Sequence, residues 1–112
     1  MDTFSIPMGV KYLGLVASPE LKAKVAGEAA QLTRFAASLD QVTLSVGRWH
    51  LHQNQGHVYR VTLDVSLGEG VHPLAIAEES AVDAEAAALD GLLGAAFGAA
   101  ARQLGAVLAR PA

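Results

Sequence analysis

The chain has 112 residues, enough for one domain and too few for two independent cores. Hydrophobic residues make up 52% and charged residues 17%, with a mean hydropathy of +0.32, which excludes intrinsic disorder. A formal charge of −3 argues against an avid, non-specific polyanion binder, and the absence of cysteine excludes disulfides, zinc thiolates and thiol catalysis. The most apolar stretch, Leu89 to Val107, is interrupted by Asp90, Arg102, Gln103 and four glycines, so it falls short of a clean membrane span. The opening MDTFSIPMGV lacks a basic segment followed by a long apolar run and reads as no signal peptide.

Residues 1–9 are poorly patterned and read as a loose lead-in to a single domain over 10–110. Gly9 to Val16 is short, apolar and aromatic, and predicts a first strand. Ser18-Pro19-Glu20 predicts a helix start, with serine as N-cap, proline at the first helical position and an acid in the first turn. Leu21, Val25, Leu32, Phe35, Ala36 and Leu39 recur at helical spacing, and Asp40 closes the helix. The period then becomes two. Val42, Leu44 and Val46 alternate with Thr43 and Ser45 in a strand that runs towards His52. Gln53 to Gly56 is a polar turn, and Tyr59 to Leu67 is the cleanest alternating strand. Gly68-Glu69-Gly70 turns again. Val71 to Ala77 predicts a fourth strand, placed at a sheet edge by Pro73. From about Ala81 to Ala109 the chain is alanine-rich and helical, with Glu78-Glu79 near its start as dipole complementation, and Arg110-Pro111 ends it.

The order β-α-β-β-β-α predicts an α+β fold: a two-layer sandwich with two helices on one face of a four-stranded mixed sheet and the other face wet. The first two strands should be parallel across the helical crossover, and the rest a meander.

The segment SPELKAKVAGEAAQLTRF followed by QVTLSV, the hairpin RWHLHQNQGHVYRVTLDV, the GEG turn and the late AAFGAAARQL occur in a familiar succession. Together they resemble the ribosome hibernation-promoting and ribosome-associated inhibitor family, also called sigma-factor modulation proteins, over roughly Val10 to Arg110. The resemblance implies the same β-α-β-β-β-α fold, similar to double-stranded-RNA-binding domains. It also implies a cytoplasmic, stress-related factor that binds the small ribosomal subunit, contacts ribosomal RNA through basic helices and blocks translation sterically. The chain looks like a short form, without the C-terminal extension of the family's dimer-forming members.

Phosphate contacts dominate nucleic-acid affinity, so that function calls for a basic face. The RNA-binding candidates are Lys22, Lys24, Arg34, Arg48, Arg60 and Arg102. Projected at about 100° per residue, the first-helix cations Lys22, Lys24 and Arg34 scatter around the polar arc, among Glu20 and Glu28. In 82–112, Arg102 and Arg110 face Asp83, Glu85 and Asp90, a net negative balance. Positions around Gly98, Ala101 and Gly105, where the family commonly carries charge, are small and neutral.

The same projection puts Leu89, Leu92, Leu93, Ala96, Ala100, Leu104 and Val107 on one face of the last helix and Gly91, Gly94, Gly98 and Gly105 opposite. Each glycine costs a helix roughly 1 kcal/mol relative to alanine. Either the glycines reflect compositional drift or a helix broken near Gly91–Gly94, or they admit a second backbone. The latter predicts self-association or a partner helix along Gly94, Gly98, Ala101 and Gly105. A four-residue hairpin loop would set His52 opposite His57 and His50 opposite Tyr59, a weak metal candidate of His50, His52 and His57. A bulge at Gly47-Arg48 would instead bury Trp49 and Leu51. Neither paired carboxylates with a histidine base nor a strand-borne phosphate loop is legible. The reading is a non-enzyme without catalytic residues, resident metal, cofactor, small-molecule substrate or membrane partner.

Overall fold

The computed structural model describes residues 6–50, 57–68, 73–80 and 84–109. The elements are β1 (Met8–Leu13), α1 (Pro19–Ala29), a 3-10 helix η1 (Ala30–Ser38), β2 (Leu39–His50), β3 (His57–Leu67), β4 (Leu74–Ser80) and α2 (Glu85–Leu108). The sheet order is β1-β2-β3-β4, with β1 parallel to β2 and the remaining pairs antiparallel. The expected α+β topology is the observed one.

Alternation builds the core. Val42, Leu44, Val46, Tyr59, Val61, Leu63 and Val65 face the helices, while Thr43, Ser45, Thr62 and Asp64 face the other way. A register shift between Leu39 and Gln41 leaves Asp40 as an extra residue, so that Leu39 and Val42 both point into the core. Leu39 is therefore the first residue of β2, not the last turn of a helix. Ile6 is buried ahead of β1, which begins at Met8.

The Ser18 cap forms as expected: its hydroxyl accepts from the Leu21 N–H at 3.1 Å, with Pro19 at the start of the helix. The single helix expected to run to Asp40 is instead two pieces. After Ala29 the chain tightens, and a three-residue spacing aligns Ala29, Leu32 and Phe35 towards the core. β4 lies at the sheet edge, as Pro73 implied, but begins after that proline and runs three residues later than expected. Glu78 and Glu79 thus belong to an edge strand, and Glu85 supplies the acid in the first turn of α2.

By length and composition α2 could cross a membrane. Here it is the core helix. Its buried residues run from Ala88 to Leu104, and it packs on β3, β4, α1 and η1.

Candidate functional site

The six candidate cations do not converge on one surface. Lys22, Lys24, Arg34 and Arg102 belong to the helical layer. Arg48 pairs with Tyr59 in the register, which puts it on the helix-covered side of the sheet. Arg60, opposite Gly47, is on the open side. Alternation along neighbouring strands separates these two arginines to opposite faces.

Carboxylates already engage half of the set. The Lys24 ammonium meets Glu28 at 3.1 Å, one helical turn on, and also bonds Asp90 of α2. These hydrogen bonds, Asp90 first, raise the Lys24 pKa above its ordinary value and hold it cationic. Arg48 lies 3.4 Å from Glu85, and the Arg60 Nε lies 3.5 Å from Glu79. The Arg34 guanidinium stacks over Phe35 at 4.7 Å from the ring centroid, so it keeps its charge available. Among the described residues Lys22 and Arg102, both exposed, have no carboxylate partner, and the same holds for Lys11 of β1.

Between the N-terminal halves of α1 and α2 lies a groove of about 300 Å³, lined by Glu20, Leu21, Lys24, Glu85, Leu89 and Asp90 among others. Three of these side chains are acidic and one is basic, so this end of the helical layer repels phosphate.

The glycine stripe differs from its sequence projection in one respect. Ala101 is buried at 8% exposure and does not belong to an outer surface. Phe97 and Ala101 extend the buried arc of α2 because the helix packs against α1 and η1 as well as the sheet. A side chain at Gly94 would come within 3.7 Å of the Glu28 carboxylate, so that glycine borders α1. Gly91 and Gly105 open onto empty space, and Gly98 neighbours only the Arg102 guanidinium. The helix is continuous through Gly91 and Gly94.

The hairpin pairs His50 with His57 and Arg48 with Tyr59, a register set by six intervening residues rather than four. His50 therefore does not stand opposite Tyr59. His52 lies outside the described residues, as does Leu51. Among the described residues no group of three or more His, Cys, Asp or Glu side chains is placed to hold a metal ion. The ladder is regular at Gly47-Arg48, and Trp49 is 45% exposed on the open face instead of buried.

Sequence reasoning missed the carboxylate partners. The Lys24–Glu28 spacing was legible, but Asp90, Glu85 and Glu79 are brought in by tertiary structure alone.

The molecule is thus an α+β sandwich whose helical layer is mixed in charge and whose second sheet face is open. No protein-family model and no curated protein matches the sequence. Among solved structures, the chain is similar to a ribosomal subunit interface protein from Coxiella burnetii, at 13% identity and a TM-score of 0.65, covering 90% of this chain and 98% of that one. It is also similar to the N-terminal domain of Protein Y from Thermus thermophilus, at 18% identity and a TM-score of 0.53, covering 88% and 99%. At these identities the likeness is one of fold, and it agrees with the fold that the sequence resemblance implied.

Proposed function

We propose that the protein is a cytoplasmic, ribosome-associated translation inhibitor that docks on the small ribosomal subunit and silences it by occupying space. The observation that carries this reading is the fold shared, over nearly the full length of both chains, with a protein described as a ribosomal subunit interface protein. The sequence resemblance to the hibernation-promoting family supports it independently of the coordinates. The mechanism is occlusion, without bond-making, cofactor or metal.

Affinity would come chiefly from Lys22, Arg34 and Arg102, whose charges have no carboxylate partner among the described residues. Lys24, Arg48 and Arg60 would have to exchange a carboxylate for a phosphate, which returns little free energy per contact. Co-sedimentation with small subunits across a salt series tests the reading. Three phosphate contacts predict a fall in affinity of about twenty- to fortyfold between about 50 and about 200 mM salt. Replacing Lys22, Arg34 and Arg102 together by glutamine should flatten that dependence.

A second reading keeps the fold and moves the interface to the outer stripe of α2, where the protein would self-associate or dock a partner helix. It is favoured by the formal charge of −3 and by the open space over Gly91 and Gly105. Such an interface would use Gly94, Gly98 and Gly105 without the buried Ala101, and its strength would be nearly independent of salt. A monomer at high concentration by sedimentation, unaltered by Gly98→Glu, would remove the self-associating form.

A further inference from the structure

On the open face of the sheet the chain presents its one tryptophan, Trp49, at 45% exposure. The indole is seated rather than loose. Its benzo ring lies directly over Gly47, two residues back on the same strand face, where a Cβ would fall 2.5 Å from the ring. Glycine inside a strand is unfavourable and marks a close approach, and the group that approaches here is the indole. Any larger residue at position 47 would lift it.

The register places the neighbours. Leu13 of β1 pairs with Gly47 and is also 45% exposed, while Arg60 pairs with Gly47 from β3. One step along the same face, Ser45 is flanked by Lys11 and Thr62. The ring is therefore bordered by two cations, one of them shared with Glu79, and by hydroxyls. Towards the far end the face carries Thr43 with Asp64 opposite, while at the tryptophan end Lys11 and Arg60 stand against the single carboxylate of Glu79, so the balance there is positive. A protein partner of ordinary size needs a broad complementary surface of roughly 800 Å² with an apolar centre. Among the described residues of this face, Leu13 and Trp49 alone do not make one. An exposed aromatic face with cations a strand's width away and hydroxyls between them fits a stacked base followed by its phosphates.

We propose that Trp49, seated on Gly47, is a stacking platform for an unpaired base of single-stranded RNA, with Lys11 as the chief contact to the adjoining phosphates and Arg60, shared with Glu79, a lesser one. The site is on the sheet face opposite the helical layer, and it rests on the ribosomal reading only for the source of the RNA. The cations of the helices take no part in it.

Because Trp49 is the only tryptophan, intrinsic fluorescence reports this site alone. Titration with a short single-stranded oligouridylate should quench it saturably. A duplex of the same length and inorganic polyphosphate should leave it unchanged. Gly47→Ala, which displaces the ring and keeps every charge, should weaken the quenching titration about tenfold. Trp49→Ala should do the same to binding of a labelled oligonucleotide read by anisotropy, and Trp49→Phe should restore most of it. Thermal melts of each variant show that the fold is intact. Equal quenching by polyphosphate, or no quenching while small-subunit co-sedimentation persists, overturns the platform and leaves the ribosomal reading standing. Saturable quenching without co-sedimentation keeps the platform and removes that reading.

Discussion

Two neighbours on β3 show how differently the two faces of the sheet are used. Leu63 points at α2 and is fully buried, while Thr62, one residue before it, points to the open side and is partly exposed. The same contrast runs along β2, where Leu44 is sealed and Thr43 and Ser45 are not. The covered face defines the fold. The open face is under no packing demand, so an exposed indole and a strand glycine there call for another explanation. The helical layer differs again. Of its candidate cations, Lys24 is held by carboxylates in an α1–α2 ion pair, and the sheet residue Arg48 is held by Glu85 of α2, so part of the charge holds the protein together rather than facing a partner.

The same kind of truncation on the two sides of the sheet should have very different costs. Leu63→Ala should cost about 2–5 kcal/mol through lost burial and a residual cavity. Thr62→Ala should stay within about 0.5 kcal/mol. Urea unfolding at an unchanged m-value checks both, and similar midpoints would contradict the assignment of faces.

Gly14 tests the passage from the sheet to the helical layer. Its φ is +71°, and a Cβ there would lie 2.5 Å from the Arg48 carbonyl oxygen. Gly14→Ala therefore combines left-handed strain with a backbone clash, at a cost of about 1–3 kcal/mol. Thermal denaturation measures it. The same substitution at Gly47 meets only a movable ring and should leave the melting temperature nearly unchanged, although it displaces Trp49.

On α2 the sign reverses. Gly91 and Gly105 have nothing within 4 Å of an added methyl, so alanine at each should stabilise the monomer by about 0.5–1 kcal/mol. If the outer stripe is an interface, the same variants should raise monomer stability while weakening association. Sedimentation alongside calorimetry separates the two effects.

These contrasts also mark what was legible in the residues. Period two on β2 and β3 foretold the core, and Ser18-Pro19 foretold the start of α1, because both signals are local. The 3-10 segment was not legible, since a three-residue step such as Leu32 to Phe35 belongs to an α-helical face as much as to a 3-10 one. Glu78 and Glu79 read as the mouth of a helix because glutamate is depleted in strands, yet an edge strand tolerates charge and is protected by it. The site was harder still. Which side of the sheet takes Arg48 and which takes Arg60 depends on a hairpin register that residues 51–56 do not specify. The Lys24–Asp90 contact joins segments whose approach only the packed layers determine.

That contact gives the smallest effect and the finest test of the helical layer. The Lys24 pKa is raised above the ordinary 10.5 by hydrogen bonds to Asp90 and then to Glu28. A cation favoured in the folded state adds stability that is complete below the unfolded pKa and lost as pH rises through the folded one. Tyr12 acts in the same direction for a different reason. Burial raises its phenol above 10.0, so in alkali the unfolded chain ionises first and is favoured. Between neutrality and about pH 10 these two groups should leave stability flat, and beyond that both should lower it. Lys24→Met should remove the lysine share of the alkaline fall, and Tyr12→Phe the tyrosine share. The lysine share should be slight and should shrink with added salt, because the ammonium is exposed and screened. Melting curves over an alkaline series at low and high salt measure both. An alkaline fall in Lys24→Met identical to that of the parent would mean that the bridge does not tie α1 to α2. Lys24 would then be as available to a phosphate as Lys22, and the helical layer more basic in effect than its contacts indicate.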